Sequence, residues 1–316
     1  MKILMFGRGA IATVHGWALH QAGHDVEFYV RPGRAATYGE AVDLELHDTR
    51  RRVWGPRVVE RWPVRYREEL EPDHDFDLIV LSVPHYRLAE AAAFLAPRVG
   101  RATVLVFGNV WAEPLAAIGA LPVEQVVWGF PQAGGGFGED GVLRGTLLPA
   151  VVFGTLDQPP TDRGRAVRQA FREAGFRPRE RPDFRGWLWI HFVADAGLHA
   201  QGLRRGSLAE LAGAAGDLRE ALLTSRELLP LLEARGLDLR RHRRGGLLFR
   251  APAWLTARVL AWLTAHVPPV RTSFEVHSDP DAREPREVCR DVLAEARRLG
   301  LAVPRLEAAE PNFART

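Results

Sequence analysis

Two residue types are almost absent from this chain of 316 residues, which contains one cysteine, Cys289, and one lysine, Lys2. A single cysteine excludes an intramolecular disulfide bond and any metal cluster that needs several cysteine ligands. A single lysine means that no ammonium group is available at a site remote from Lys2, although arginines are abundant. Any chemistry that ordinarily uses lysine must therefore depend on another residue type.

Long apolar runs and a strong excess of charge are also missing. No apolar run reaches the roughly 18 residues of a membrane-spanning helix, since the longest candidate, residues 247–270, is interrupted by arginines. The net charge is only +3 and the arginines form no basic stripe, so neither a nucleic acid nor a membrane is expected as a partner. The first predicted strand begins at Lys2, which leaves no room for a signal peptide. These features predict a cytoplasmic protein.

The most informative segment is a short apolar run, residues 3–6, that leads into a glycine-rich turn. The turn has the pattern G-x-G-x-x-A between a predicted buried strand and a predicted helix, which is the context of a dinucleotide-binding fingerprint. Gly7 permits the tight turn, Gly9 lets the backbone approach a pyrophosphate, and Ala12 lets helix and strand pack closely. The N–H groups at the helix N-terminus then point at the phosphates. The predicted cofactor-binding residues of this segment are Gly7, Arg8, Gly9, Ala10, Ile11 and Ala12.

The end of the second predicted strand indicates which nucleotide binds. NAD-binding domains usually carry an Asp or Glu there for the ribose 2′-hydroxyl, whereas NADP-binding domains use an Arg for the 2′-phosphate. The strand at residues 26–30 is followed by Arg31 with no carboxylate in the turn, and Glu27 lies too early in the strand. The prediction is NADPH, bound through Arg31. The alternative is that Arg31 is an ordinary solvated arginine.

Strand and helix patterns alternate through the first half of the chain. The glycine run at residues 134–138 precedes a strand pattern and is predicted to be a flexible turn. Further buried strands are predicted at residues 76–83, 102–107, 125–130 and 141–154. This order is typical of a parallel sheet with crossover helices.

The second half of the chain has helical periods only. They cover residues 188–203, 208–235, 254–266 and 286–299. The tail from Pro304 is expected to pack loosely. The predicted fold class is therefore α/β, with an N-terminal Rossmann-type parallel-sheet domain at residues 1–182 and an all-helical domain at residues 183–316.

Together these features make the chain resemble the ketopantoate reductase (2-dehydropantoate 2-reductase) family over nearly its full length. The opening strand, the fingerprint, the turn at residues 23–26 and Arg31 look like that family's cofactor-binding segment. Three later motifs also look like family motifs: Gly108-Asn109 after a strand, Trp189-Ile190-His191 in a long helix, and Thr272-Ser273-Phe274 followed by Glu287.

The resemblance implies a fold and a set of roles. It implies an NADP-binding Rossmann domain and a helical, 6-phosphogluconate-dehydrogenase-like domain for substrate binding and dimerisation, with a small-molecule substrate in the cleft between them. A homodimer is thus one arrangement that it allows. Asn109 is implied as a catalytic and cofactor-binding residue beside the nicotinamide, Ser273 as a substrate ligand and Glu287 as a catalytic residue. Glu284 is a rival for the role of Glu287, because the spacing from Ser273 is longer than in the family.

The chain departs from the family at the positions of the reactive side chains. A second family lysine corresponds to about Pro84, and the glycine that usually follows Asn109 is replaced. The family's catalytic lysine and the two asparagines that follow it at four-residue intervals correspond to His191, Asp195 and His199. The scaffold is retained while the reactive face is rebuilt.

Histidine can replace lysine in the chemistry that the family carries out. Hydride reduction of a carbonyl needs a proton donor beside the oxygen on which negative charge develops, and histidine suits this task near neutral pH. His191, Asp195 and His199 share one helix face because of their four-residue spacing, and Asp195 would orient a histidine and favour its protonated form. Two other interpretations stay open, a structural polar network and a metal site. No metal is predicted, because eight residues span about 12 Å of helix.

The resulting prediction is an NADPH-dependent reductase that acts on a 2-oxo acid or a related carbonyl, with catalytic His191 in place of the family lysine and His199 as a substrate ligand. One alternative is an imine reductase, since the Asp195 carboxylate would stabilise an iminium ion. The other is a non-catalytic NADPH-binding sensor. His85 and His277 are weaker candidates for substrate contact. The tryptophans of the helical half are predicted to be core residues or, alternatively, to line a pocket for a bulky substrate: Trp187, Trp189, Trp254 and Trp262.

Overall fold

The computed structural model describes residues 1–52, 55–156, 159–242, 251–275 and 283–314. The chain divides into two compact units, Met1–Phe184 and Arg185–Thr316. All strands in the described ranges lie in the first unit, and the described elements of the second are helical. The predicted fold class, a parallel-sheet α/β region followed by helices, is therefore confirmed. Within the described ranges, no helix has both the length and the apolar character that crossing a bilayer requires.

The first unit contains both strands and helices. Its strands are β1 (Lys2–Phe6), β2 (Asp25–Tyr29), β3 (Ala41–Asp48), β4 (Arg57–Pro63), β5 (Tyr66–Arg67), β6 (Leu78–Leu81), β7 (Thr103–Phe107), β8 (Val126–Phe130), β9 (Ala133–Phe137), β10 (Leu143–Leu147), β11 (Ala150–Gly154) and β12 (Arg177–Glu180). Its helices are α1 (Ala10–Gln21), α2 (Ala35–Tyr38), α3 (Leu88–Leu95), α4 (Pro114–Ala117) and α5 (Asp162–Glu173).

The larger sheet has eight strands in the order β12-β11-β8-β7-β6-β1-β2-β5. The six strands from β8 to β5 are parallel, whereas β11 pairs antiparallel with β8. Every residue of β6 and β7 is buried, as is typical of the strands of parallel sheets. Because these strands are parallel, the residues that follow β1, β2, β6 and β7 lie at one edge of the sheet.

A second sheet has four strands in the order β4-β3-β10-β9. β3 pairs antiparallel with β4 and parallel with β10. Of these four strands only β10 lies in a predicted strand segment, residues 141–154, although β3 also has the alternating burial of a strand with one covered face. Val42, Leu44 and Leu46 are buried on that face.

Helix α1 packs against both sheets. At Gly16 the helix backbone itself is the contact surface, because a Cβ atom there would lie 3.0 Å from Phe28 of β2 and 3.5 Å from Trp62 of β4. Trp17, the next residue, donates its indole N–H to the Glu60 carboxylate at 3.0 Å. The fingerprint helix thus packs against a buried aromatic side chain of each sheet.

The prediction that residues 134–138 form a flexible turn is wrong. The run belongs mostly to β9, which pairs antiparallel with β10. A Cβ atom on Gly135 would lie 3.5 Å from the Cβ of Ala10, and one on Gly145 would lie 3.4 Å from Val14. The glycines therefore let the first turns of α1 approach the second sheet closely.

The second unit is built around a long helix. Within the described ranges its helices are α6 (Phe184–Arg205), α7 (Ala215–Glu227), α8 (Leu229–Ala234), α9 (Ala253–His266), α10 (Pro268–Glu275), α11 (Arg283–Arg298) and α12 (Pro304–Ala309). The continuous helical period predicted at residues 208–235 is interrupted. Gly213 has a φ of +77°, and Pro230 in the first turn of α8 lacks the N–H that would continue α7.

The C-terminal tail is well packed, so the prediction of a loose tail from Pro304 onward is wrong. Leu306 and Phe313 are almost completely buried. The Glu227 carboxylate at the end of α7 accepts hydrogen bonds from the backbone N–H groups of Arg305, at 2.9 Å, and Leu306, at 3.2 Å. A side chain from a distant helix therefore caps α12.

The tryptophans of the second unit divide into two groups. Trp189 is a core residue, and the Arg235 guanidinium lies 3.7 Å from the centre of its ring. Trp254 and Trp262 are 56% and 58% exposed, so the core prediction is wrong for these two. The buried face of α9 contains smaller side chains such as Ala257, which pack against α7.

His15 is completely buried in α1 and is predicted to make stability depend on pH. Its Nδ1–H donates to the Ile11 carbonyl at 2.9 Å, and its ring stacks on Phe176 with 5.4 Å between centroids. Burial lowers the pKa of His15 from 6.5 to about 4, an effect that the Ile11 hydrogen bond opposes. Between about pH 4 and pH 6.5 the folded protein therefore holds a neutral imidazole where the unfolded chain holds a cation.

As the pH falls from 6.5 to 4, the unfolded state binds a proton at residue 15 and the folded state does not. We expect this difference to remove up to about 3 kcal/mol of stability over that range and nothing further below it. The measurement is the free energy of unfolding of the wild type and His15→Leu at intervals between pH 7.5 and 4. His15→Leu should lose this part of the slope, while His20→Gln on the exposed face of the same helix should keep it. Parallel curves for the wild type and His15→Leu would contradict the assignment.

Candidate dinucleotide site and reactive helix

The turn between β1 and α1 has the geometry of a phosphate cradle. Gly7 adopts a φ of +97°, which favours glycine, and its N–H donates to the Tyr29 carbonyl at 3.0 Å. Gly9 is the N-terminal cap of α1, and no side chain makes a capping hydrogen bond there. A Cβ atom on Gly9 would meet nothing within 4 Å. The first N–H groups of α1 therefore face open space that fits an anionic group such as a pyrophosphate.

Arg8 lies inside this turn, held among aromatic side chains. Its Nε–H donates to the Tyr66 hydroxyl at 2.8 Å, and its guanidinium lies 4.7 Å from the ring centre of Tyr38 and 4.4 Å from that of Phe137. Burial raises the pKa of Tyr66, and the Arg8 charge partly offsets this. In the described part of the chain this is the one hydrogen bond that Arg8 makes, so its terminal nitrogens can bind an anion. None of these three aromatic partners is predicted from the sequence, because they are distant from Arg8 along the chain.

Arg31 is exposed in the turn after β2. Its carbonyl accepts from Arg34 N–H at 3.1 Å, and the Arg34 guanidinium reaches the Tyr38 hydroxyl at 3.3 Å. Arg87 and, more weakly, Arg31 lower the pKa of Glu90 on α3. Positive charge from Arg8, Arg31 and Arg34 therefore collects at this end of β2.

Two carboxylates lie near the same strand. Glu27 accepts from Nε and Nη2 of Arg67 at 3.1 Å each. Glu68 follows β5 and reaches the turn after β2, where its Oε1 accepts from the Ala35 N–H at 2.7 Å. Hydrogen bonds from the backbone of Ala35, Gly33 and Arg34 lower the pKa of Glu68 and keep it ionised. Glu68 is not predicted from the sequence, because only the pairing of β5 with β2 brings it to this turn.

Asn109 is half-buried and follows β7. The preceding Gly108 packs closely against the next strand end, since a Cβ atom there would lie 3.5 Å from the Val83 carbonyl oxygen. Pro84, at the position of the second family lysine, precedes a 3-10 turn that begins at His85. The structure therefore brings the ends of β6 and β7 together at the sheet edge that also carries the fingerprint turn and Arg31.

His191 and Asp195 form a pair on one face of α6. His191 Nε2 lies 3.4 Å from Asp195 Oδ2, and the two side chains are 36% and 25% exposed. The Trp187 ring stacks on the imidazole with 5.3 Å between centroids and 13° between planes. The imidazole is thus oriented by a carboxylate on one side and by an aromatic face on the other, while solvent still reaches it.

The rest of α6 holds this pair rigidly in the second unit. His199 is half-buried one further turn along the helix. On another face, a Cβ atom on Gly197 would collide with Ser225 Oγ and the Ala221 carbonyl of α7. Cys289 of α11 is buried, and its thiol donates to the Ala196 carbonyl at 3.6 Å. Burial raises the pKa of Cys289, so this thiol is not a nucleophile.

The other predicted residues of the second unit lie on α10 and α11. Ser273 is half-buried and donates its hydroxyl proton to the Pro269 carbonyl at 3.0 Å. The Glu287 side chain is 24% exposed and forms an ion pair with Arg290 at 3.2 Å. Glu284 lies in the first turn of α11 and is exposed. His277 lies outside the described residues.

The described residues offer no metal centre. Among them, no group of three or more His, Cys, Asp or Glu side chains has an arrangement that could hold a metal ion.

Comparisons with known proteins agree with this architecture. Residues 3–158 match the family model described as ketopantoate reductase PanE/ApbA. No curated protein matches the chain by sequence. The structure of 2-dehydropantoate 2-reductase from Geobacter metallireducens GS-15 is 18% identical, with a TM-score of 0.69 over 99% of each chain. That from Porphyromonas gingivalis W83 is 15% identical, with a TM-score of 0.62 over 100% of this chain and 99% of that one.

A third similar structure carries a different name. The ternary structure of D-mandelate dehydrogenase with NADH and anilino(oxo)acetate is 14% identical, with a TM-score of 0.70 over 99% of this chain and 97% of that chain. At such low identity these structures establish the fold alone.

The two glycines of the turn are predicted to respond differently to alanine. Gly7→Ala forces a side chain into a left-handed conformation and should cost about 1–2 kcal/mol of stability. Gly9→Ala meets no protein atom and should change stability by less than about 1 kcal/mol. We nevertheless expect it to weaken NADPH binding at least about tenfold, because its Cβ would enter the space that the fingerprint predicts for a pyrophosphate. Thermal unfolding and fluorescence titration with NADPH measure the two effects. Unchanged binding in Gly9→Ala would mean that the turn does not hold the pyrophosphate.

Proposed function

The chain belongs to the ketopantoate reductase PanE/ApbA family, and from this premise we propose that it is an NADPH-dependent reductase that acts on a 2-oxo acid or a related carbonyl. The observation that carries the proposal is the oriented pair His191–Asp195 at the position of the family lysine, in a chain whose first unit has an open fingerprint turn. In this proposal the first unit binds the cofactor and the second supplies the substrate-binding side chains.

Cofactor binding depends on the turn after β1 and on the positive charge after β2. The uncapped N–H groups of α1 would hold the pyrophosphate, with Arg8 and Arg31 as the neighbouring cations. Arg31 is exposed and close enough to α3 to act on Glu90, so it is available for a 2′-phosphate. A bound NADPH would supply the hydride. Asn109 would position the nicotinamide amide or the substrate oxygen through its side-chain amide.

Proton delivery is the task proposed for His191. The Asp195 carboxylate lies 3.4 Å from Nε2 of His191 and orients the imidazole. The proton on Nδ1 of the imidazolium is the one proposed to move to the developing alkoxide. The Trp187 ring keeps the imidazole plane fixed. Histidine thereby supplies both the positive charge and the proton for which the family uses lysine.

Substrate binding is assigned to the remaining polar residues. His199 would bind the substrate one turn beyond Asp195, and Ser273 would exchange its Pro269 hydrogen bond for a substrate carboxylate. Glu287 would orient a neighbouring donor. D-mandelate dehydrogenase, a structure of the same fold, contains NADH and anilino(oxo)acetate, which supports an oxo acid as the substrate class here.

The Asp195 carboxylate also favours a second candidate, imine reduction. An iminium ion is already positive, so a carboxylate beside the reaction site stabilises it where a lysine would repel it. The substrate panel in the test therefore includes cyclic imines as well as 2-oxo acids.

The proposal predicts turnover that depends on His191. NADPH oxidation would be followed with ketopantoate, 2-oxo acids with alkyl and aryl side chains, and cyclic imines. His191→Asn should lower kcat at least about 100-fold and leave the Kd for NADPH unchanged. His266→Asn is the matched control, because His266 also stacks on a tryptophan four residues earlier, Trp262, with 5.5 Å between ring centroids.

The outcomes separate the candidates. Full turnover in His191→Asn would refute the proton-donor assignment, and turnover of imines alone would favour the second candidate. Tight NADPH binding without turnover of any compound would favour a sensor.

The preference for NADPH is predicted to depend on Arg31. Arg31→Ala should weaken NADPH binding about tenfold or more, since it removes a cation from the 2′-phosphate, and should leave NADH binding nearly unchanged. Arg52→Ala, at another exposed arginine, is the control for the loss of one positive charge. An unaltered ratio of the two dissociation constants would show that Arg31 does not select the cofactor.

A further inference from the structure

The turn after β2 contains no carboxylate of its own. Glu68, which is distant in sequence, supplies one from the adjacent strand β5. We propose that Glu68 is a cofactor-specificity residue that opposes Arg31. It makes the ribose end of the site accept NADH and narrows the preference for NADPH. This inference rests on the dinucleotide site of the proposed function, and it is independent of the reaction that the second unit carries out.

The position of Glu68 follows from strand pairing. β5 lies parallel to β2, with Phe28 opposite Tyr66 and Tyr29 opposite Arg67. Because the two strands run in the same direction, the residue after Arg67 falls beside the residues that leave β2. This is the place where the acidic residue of an NAD-binding domain normally meets the ribose 2′-hydroxyl. In this chain the carboxylate arrives there from the neighbouring strand.

The hydrogen bonds of Glu68 show that the turn already holds an anion. Its Oε1 accepts from the Ala35 N–H at 2.7 Å, and the backbone of Gly33 and Arg34 also lowers the pKa of the carboxyl group. Gly33 has a φ of +79°, which turns the backbone around the carboxylate. A 2′-phosphate at the same turn would compete for these N–H groups.

The two nucleotides present different chemistry to this carboxylate. The ribose 2′-hydroxyl of NADH is neutral and can donate a hydrogen bond to Glu68. The 2′-phosphate of NADPH is an anion that only accepts, so it meets a like charge. Arg8, Arg31 and Arg34 offset part of this repulsion. The balance between these arginines and Glu68 therefore decides how far NADPH is preferred.

The test uses the full chain and measures the dissociation constants of NADH and NADPH by fluorescence titration. Glu68→Gln keeps the size of the side chain and an oxygen acceptor for the turn but removes the charge. We expect it to shift the ratio of the two dissociation constants toward NADPH by about tenfold. The shift should shrink in high salt, because screening weakens repulsion between exposed charges. Glu69→Gln, at the exposed neighbouring residue, is the matched control and should leave the ratio unchanged.

The possible results distinguish a failure of the specificity role of Glu68 from a failure of the proposed function. An unchanged ratio in Glu68→Gln, with both dinucleotides bound by the wild type and with an unaltered melting temperature, would overturn this inference and leave the proposed function standing. An equal shift in Glu68→Gln and Glu69→Gln would also overturn it, because the effect would then come from net charge alone. Failure of the wild type to bind either dinucleotide would overturn the proposed function, and this inference with it.

Discussion

The close packing of helix α1 between two sheets is the constraint on which the rest of the first unit depends. At Gly16 a Cβ atom would lie 3.0 Å from Phe28 and 3.2 Å from Met5, so the helix backbone packs tightly on the larger sheet. On the second sheet, a Cβ atom on Gly135 or Gly145 would already be in van der Waals contact with the helix. Close packing of this kind transmits small changes in volume, because protein interiors contain few voids. The N-terminus of α1 is therefore fixed relative to β1, and the turn at residues 7–9 presents its N–H groups in one direction. A phosphate cradle needs that rigidity.

The parallel strands also determine where charged side chains gather, because the residues that follow these strands lie at one edge of the sheet. Arg8 is held against aromatic rings, which restrain the cation without neutralising it. Arg31 stands in the next turn along the edge, and Glu68 reaches that turn from β5. Cations attract the phosphates of a dinucleotide, whereas a carboxylate distinguishes a hydroxyl from a phosphate. Affinity and selectivity are thus properties of different side chains within one short stretch of the sheet edge.

The reactive helix of the second unit illustrates how much a local pattern can specify. Trp187, His191 and Asp195 are spaced by four residues, and the structure has them in contact as stacked ring, imidazole and carboxylate. Helical periodicity alone is sufficient for this, since residues four apart lie one above the other. Trp262 and His266 repeat the stacking on α9. Helical periodicity can also give a wrong prediction. The apolar residues around Trp254 and Trp262 have the spacing of a helix buried in a core, although both tryptophan side chains are exposed.

The sequence by itself determined the α/β class, the fingerprint turn, Arg31 after the second strand, and the His191–Asp195 pair on one helix face. Each of these is set by residues within a few positions of one another, through turn conformation, strand burial or helical period. The tertiary structure alone decided the aromatic cradle of Arg8, the arrival of Glu68 at the turn after β2, the strand formed by the glycine run, and the capping of α12 by Glu227. These contacts join segments that are distant in sequence, and their geometry depends on strand order and helix packing, which no local spacing of residues encodes.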